Sequence, residues 1–267
     1  MKVQVFVAVH CSPKVLKLTL GSWLQHYDGS YEVEVHLGLH SNYGHYHAGL
    51  DEIKELDGPA RLHFIDEIDW YSVGLTRYSE MHARSVLNMM GKVKDEDFSH
   101  AFLFDHDLLF HSDFIQWMLD NYRDADLLGC LLDDCPHSRD FESTDGPIYT
   151  FFPKVSVWHL GISRRCFDYV MASPDAILPE QIGKEVYDTF SRGLEWARYD
   201  WNLDVRLLSE SELSEVVTHW GSASFNFGGR FEDDYIEKIR GIEDDYDNRF
   251  PDGIDHLLEK LAKKSEV

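Results

Sequence analysis

The first forty residues predict a β-α-β unit, which limits the folds that the chain can adopt. Residues 3–9 alternate between two sets of side chains that are both largely apolar, which is typical of a strand buried on both faces of a parallel sheet. Ser12 and Pro13 favour a helix N-cap followed by proline at the first helical position. Apolar residues at helical spacing continue to Tyr27, and residues 31–39 alternate again as a second strand. This order is typical of an open α/β sheet.

The rest of the chain continues this alternation of strands and helices. Strands are predicted at residues 61–65, 100–110, 127–132, 155–160 and 215–218. Helices are predicted around residues 83–90, over 112–122 with Ser112 as the cap, over 161–171, over 186–208 as one helix or two, and over 254–261. We therefore expect an α/β fold with an open, mostly parallel sheet flanked by helices.

The domain organisation follows from length and from the placement of charge. The main domain is expected over residues 1–227, and a boundary is expected near Gly228 and Gly229. The segment 228–267 carries two acidic runs and ends in the predicted amphipathic helix, so it is interpreted as an acidic C-terminal extension. Residues 133–152 are expected to form a long loop.

Charge and composition exclude several classes of function. The formal net charge is −23, from 48 acidic and 25 basic residues, and no basic block is present. Such a chain repels nucleic-acid backbones, so no nucleic-acid partner is expected. No signal peptide is expected, because the first residues continue directly into a predicted strand, and no membrane span is expected, because no run of 18 apolar residues occurs. The four cysteines have no metal-binding spacing. A cytoplasmic protein is expected, with peripheral membrane contact through lysines of the last helix left open.

Two carboxylates follow the strongest predicted strand. Residues 102–104 are apolar and lead into Asp105, His106 and Asp107. In open α/β sheets, ligands bind at the carboxyl ends of the strands. Carboxylates this close repel each other unless a cation holds them, and a hard divalent ion also bridges phosphates. This motif therefore favours a metal and diphosphate site. The alternative interpretation is a solvated loop that follows the strand.

The fifteen histidines raise the question of a separate metal cluster. His36, His40, His45 and His47 lie close in sequence but match no standard ligand spacing. No histidine-rich structural site is therefore predicted.

Several segments of the first half, taken together, resemble those of one enzyme family. The segments are Leu20-Gly21-Ser22-Trp23-Leu24-Gln25-His26-Tyr27, Leu39-His40-Ser41-Asn42, His82-Ala83-Arg84-Ser85 and Asp105-His106-Asp107 followed by Ser112-Asp113-Phe114. In this order they resemble the GT-A fold glycosyltransferases, in particular the family-2-like group.

The second half resembles the same family more loosely. The matching segments are His159-Leu160-Gly161 with Arg164-Arg165-Cys166-Phe167, then Tyr199-Asp200-Trp201-Asn202-Leu203-Asp204-Val205-Arg206-Leu207, and Thr218-His219-Trp220-Gly221-Ser222-Ala223-Ser224. The resemblance implies a Rossmann-like nucleotide-sugar-binding half over residues 1–110 and an acceptor and catalytic half over 111–227.

The resemblance also implies which residues form the site. Donor-binding residues would be Val9, His10, His40, Ser41, Arg84, Asp105 and His106. Metal ligands would be Asp105, Asp107 and His219, and the metal would be Mn²⁺ or Mg²⁺. Asp200 would be the base that deprotonates the acceptor hydroxyl in an inverting reaction.

The implied activity is transfer of a sugar from a nucleoside-diphosphate sugar, with uridine diphosphate favoured, to a hydroxyl of a glycan, a lipid-linked glycan or a protein. Two alternatives stay open. One is a phosphatase of the haloacid-dehalogenase type, which also places Asp-x-Asp after an apolar strand. The other is a catalytically inactive nucleotide-sugar-binding domain, because His40 and Tyr199 stand where the family has acidic residues. Stereochemistry, donor, acceptor and oligomeric state are left open by the sequence.

Overall fold

A computed structural model of the protein describes residues 1–9, 13–40, 56, 62–68, 78–131, 155–172, 181–182, 185–186, 202–220 and 232–262. Its strands are β1 (Lys2–Val9), β2 (Glu32–His40), β3 (Leu62–Ile68), β4 (His100–Asp105), β5 (Leu108–Phe110), β6 (Leu127–Leu131), β7 (Val155–Ser163), β8 (Gln181–Ile182), β9 (Glu185–Val186), β10 (Val205–Ser209) and β11 (Val217–His219). Its helices are α1 (Pro13–His26), α2 (Tyr78–Val93), α3 (Phe114–Tyr122), α4 (Arg164–Ala172), α5 (Glu210–Leu213), α6 (Glu232–Arg249) and α7 (Asp255–Ala262).

The main sheet confirms the expected α/β class. Within the described residues it has seven strands in the order β10-β6-β7-β4-β1-β2-β3. Strand β7 runs antiparallel to both of its neighbours, and the remaining pairs are parallel. The chain moves from β1 outward to β2 and β3, then returns to β4 on the other side of β1. The strand order therefore reverses between β1 and β4, and ligands bind at such a point in open α/β sheets.

Strand β1 is apolar on both faces because each face packs against helices. Val3, Val5, Val7 and Val9 belong to a buried cluster that includes the inner side of α1. Phe6 and Ala8 belong to a second cluster that includes Val86, Met89 and Met90 of α2. The sheet is thus covered on both sides, as the pattern of residues 3–9 predicts.

The predicted strand 100–110 is wrong as a single element. Strand β4 ends at Asp105, His106 and Asp107 form a turn, and β5 pairs with β11 in a separate two-stranded sheet. Residues 100–110 are all buried, so hydrophobicity alone gives no sign of the break.

Three further predictions from sequence are corrected by the structure. Residues 161–163 belong to β7, and the helix expected there begins at Arg164. Residues 205–208 are predicted as the end of a helix over 186–208, but residues 205–209 form β10 and pair in parallel with β6. The edge of β6 supplies their backbone hydrogen bonds. The cap of α3 is Asp113 and not Ser112, since the Asp113 carboxylate accepts from the amide of Gln116 at 3.1 Å.

The C-terminal helices pack against α1. Gly21 of α1 allows a close approach of the segment that joins α6 to α7, because a Cβ atom there would lie 2.8 Å from side-chain atoms of both Phe250 and Ile254. The buried leucines of α7 confirm the predicted amphipathic helix at residues 254–261. No helix in the described part of the chain combines the length and the apolar character needed to cross a membrane. The expected boundary at Gly228 and Gly229, and the loop 133–152, lie outside the described residues.

Candidate functional site

Asp105 and Asp107 lie at the carboxyl end of β4, beside the end of β1. Asp105 pairs in register with Ala8 of β1. Both carboxylates are almost fully enclosed, with Asp105 6% and Asp107 1% exposed. Two enclosed carboxylates carry a high desolvation cost unless a proton or a cation compensates them.

Strand β11 brings His219 to the two carboxylates. It pairs antiparallel with β5, so that His219 lies opposite Leu108, the residue after Asp107. His219 Nε2 lies 3.1 Å from Asp107 Oδ1 and 3.7 Å from Asp105 Oδ2. The backbone amide of Trp220 also donates to the carbonyl of Asp107 at 3.0 Å. Residues at the end of β11 therefore contact both the backbone and the side chain of Asp107.

These three residues have the donor set of a divalent-metal site. One ligand atom from each of Asp105, Asp107 and His219 lies within 4.8 Å of the others. Carboxylate oxygens suit Mg²⁺ and Mn²⁺, and an added imidazole nitrogen favours Mn²⁺ over Mg²⁺. The residues present thus fit a hard divalent cation, and its positive charge would offset the repulsion between the two carboxylates.

Hydroxyl groups of α1 hold the segment that carries the carboxylates. Thr19 Oγ1 donates to the carbonyl of His106 at 2.6 Å and accepts from the amide of Leu108 at 3.0 Å. One helical turn later, Ser22 Oγ accepts from the amide of Phe110 at 3.0 Å. The two hydroxyls bond the edge of β5 that β11 leaves open, as a neighbouring strand would.

His106 follows the end of β4, and Val9 ends the neighbouring strand β1. The His106 side chain is buried and turned away from solvent, with Nδ1 3.2 Å from the carbonyl of Ala8. Val9 ends β1 and its side chain is buried in the cluster against α1. Any contact of Val9 with a nucleotide-sugar donor would therefore be made by its main chain.

The structure leaves the other predicted site residues partly or wholly undescribed. The backbone of His40 ends β2, and that of Arg84 lies within α2. His10, Ser41 and Asp200 lie outside the described residues. Their expected roles in donor binding and catalysis stay predictions.

Sequence reasoning missed two sets of polar residues. Thr19 and Ser22 have the i, i+3 spacing of one helix face, but the sequence does not show which strand that face meets. Gln4, Glu34, His36 and His63 converge on one face of the main sheet. The only available signal was their polar character at alternate positions of otherwise apolar strands.

Comparison of the sequence with known protein families and with curated proteins gave no match.

Proposed function

We propose that this protein is a metal-dependent glycosyltransferase of the GT-A type, acting on a nucleoside-diphosphate sugar. The observation that carries the proposal is the convergence of Asp105, Asp107 and His219 within 4.8 Å of one another. The position of Asp105 and Asp107 at the carboxyl end of β4 supports it, because the strand order reverses there between β1 and β4. Nucleotides bind at such a reversal in open α/β sheets.

The three ligand residues, Asp105, Asp107 and His219, support a role for a cation at the diphosphate of the sugar donor. Asp107 and His219 would hold the ion directly, and Asp105 would hold it directly or through water. When bound, Mn²⁺ or Mg²⁺ supplies positive charge against the charge that develops on the departing diphosphate. Both carboxylates are nearly enclosed, so a cation that they held would act in surroundings of lower dielectric than water, where its charge has a larger effect.

The chemistry needs a base for the acceptor hydroxyl if the reaction inverts the anomeric carbon. In that case the hydroxyl loses its proton to a carboxylate, its oxygen bonds to the anomeric carbon, and the nucleoside diphosphate leaves. The resemblance assigns this base to Asp200, and the assignment is part of the proposal. A retaining reaction would have no such requirement for Asp200.

A phosphatase is the less favoured alternative. In that reading Asp105 would be the nucleophile on a phosphate ester. Both a glycosyltransferase and such a phosphatase would place Asp-x-Asp after an apolar strand. The phosphatase mechanism, however, does not explain why His219 Nε2 lies 3.1 Å from Asp107 Oδ1.

Incubation with a panel of nucleoside-diphosphate sugars, with and without Mn²⁺, tests the proposed activity. We expect Mn²⁺-dependent release of nucleoside diphosphate in the wild type and none in Asp107→Ala. We expect Asp200→Asn to bind the donor but to lose transfer, whereas full transfer by that variant would favour retention. Turnover of a generic phosphate ester without release of nucleoside diphosphate would favour the phosphatase.

A further inference from the structure

We propose that Glu34, His36 and His63 form a second divalent-cation site, of the kind that binds zinc, on the α2 side of the main sheet. One ligand atom from each residue lies within 4.8 Å of the others. This set includes none of the residues of the Asp105, Asp107 and His219 site, and the proposal does not depend on the proposed function.

The sheet register brings these side chains together. Glu34 and His36 are two residues apart in β2, so both side chains project from the same face. His36 pairs in register with His63 of β3, and Glu34 pairs with Gln4 of β1. The rings of His36 and His63 stack with centroids 4.7 Å apart.

Hydrogen bonds made by Gln4 fix the tautomer of His36. The Gln4 amide nitrogen donates to carboxylate oxygens of Glu34 at 3.1 Å and Glu96 at 3.3 Å. Because ionised carboxylates only accept, the Gln4 amide oxygen is the atom that faces His36, at 2.6 Å from Nε2. His36 therefore donates from Nε2, and its lone pair is on Nδ1.

This tautomer leaves His36 prepared to bind a cation. His36 is 3% exposed, and within the described part of the chain no group donates a hydrogen bond to its Nδ1. A proton on the buried Nδ1 would have no acceptor among the described residues, so this environment favours the neutral ring. Neutral imidazole is the metal-binding form, and a ligating histidine typically donates its other N–H to an oxygen, as His36 does to Gln4.

His63 provides the route from solvent, and Lys2 opposes cation binding. The His63 side chain is exposed, so its ring can turn out of the stack to direct a nitrogen at the cation. Two imidazoles and one carboxylate form a common zinc ligand set. Lys2 Nζ lies 2.9 Å from Glu34 and 2.8 Å from Glu96. A cation would take the place of Lys2 at Glu34 and leave Lys2 paired with Glu96.

Calorimetric titration with Zn²⁺ tests the site in the full-length chain. His63→Ala removes an exposed ligand, and we expect it to weaken one zinc site by about tenfold or more. His256→Ala, at an exposed histidine of α7, is the matched control and should leave the isotherm unchanged. Lys2→Met removes the competing ammonium group and should tighten the same site.

The two variants with opposite expected effects make the test decisive. An isotherm of His63→Ala that superimposes on that of the wild type would overturn the proposal, as would weaker zinc binding in Lys2→Met. Because all three variants leave Asp105, Asp107 and His219 intact, either result is independent of the proposed glycosyltransferase activity.

Discussion

The hydroxyl of Thr19 accepts a hydrogen bond from the amide of Leu108, with 3.0 Å between oxygen and nitrogen. Leu108 directly follows Asp107, and the same hydroxyl donates to the carbonyl of His106 on the other side of Asp107. Thr19 is itself buried in α1. Helix α1 therefore fixes the backbone on both sides of the carboxylate that His219 contacts.

Thr19→Val should lower both stability and metal binding. The substitution keeps the shape of the side chain but leaves buried backbone groups without their hydrogen-bond partner, at a cost of about 1–3 kcal/mol. We expect a lower free energy of unfolding in urea and weaker Mn²⁺ binding by calorimetry. Thr19→Ser keeps the hydroxyl and should largely restore Mn²⁺ affinity. Equal Mn²⁺ affinity in Thr19→Val and wild type would show that Thr19 does not position Asp107.

The contrast between Asp105 and Thr19 shows how far sequence reasoning reaches here. The apolar run 102–104 predicts a strand that leads into Asp105 and Asp107, and ligands bind at the carboxyl ends of strands in an α/β sheet, so a site at these carboxylates follows from local pattern. The end of β4 at Asp105 does not, because residues 100–110 are all buried. The role of Thr19 depends on which strand α1 covers, and that is a tertiary property. The predicted helix at residues 205–208 is wrong for a related reason. Their apolar spacing suits a helix as well as a strand, and the strand forms because it pairs with the edge of β6.

Asp113→Ala should destabilise the protein, whereas Ser112→Ala should not. Asp113 caps α3 and also accepts hydrogen bonds from Tyr31 at 2.8 Å and Trp23 at 3.3 Å. Loss of the cap typically costs about 0.5–2 kcal/mol, and the partners lost on Tyr31 and Trp23 add to this. The hydroxyl of Ser112 is buried and has no hydrogen-bond partner among the described residues. Urea unfolding of the two variants separates the roles, and a larger loss in Ser112→Ala would restore Ser112 as the cap.

His100 should make the protein less stable as pH falls below neutral. Burial lowers the pKa of His100, so the folded state keeps the ring neutral while the unfolded chain takes up a proton. Below the unfolded pKa of about 6.5, the unfolded state binds more protons, and each pH unit costs at most about 1.4 kcal/mol. The His100→Gln substitution retains a hydrogen-bond donor for the carbonyl of Arg123 and removes the titrating imidazole.

Free energies of unfolding at pH 7, 6 and 5 provide the measurement for His100. The wild type should lose more stability over this interval than His100→Gln, because other titrating groups are common to both proteins. Parallel pH profiles would contradict the account.

The same substitution, glycine to alanine, should have opposite effects in α1 and α6. At Gly21 a Cβ atom would lie 2.8 Å from side-chain atoms of Phe250 and Ile254, so Gly21→Ala should displace the segment that joins α6 to α7, at a cost of about 1–3 kcal/mol in the free energy of unfolding. At Gly241 a Cβ atom would meet nothing within 4 Å, and alanine should stabilise α6 by about 0.5–1 kcal/mol. Thermal unfolding of both variants measures the difference, and a stabilised Gly21→Ala would refute the close packing of α1 on the C-terminal helices.

We propose that Asp105, Asp107 and His219 bind a divalent metal that holds a nucleoside diphosphate. Calorimetric titration of uridine and guanosine diphosphates, with and without Mn²⁺, tests it most directly in the wild type and Asp107→Ala. Glu259→Ala, at an exposed carboxylate of α7, is the matched control, and urea unfolding checks that each variant is folded. We predict Mn²⁺-dependent binding of one diphosphate, lost in Asp107→Ala and kept in Glu259→Ala. Absence of nucleotide binding in the wild type with Mn²⁺ present, or equal binding by folded Asp107→Ala, would contradict the claim.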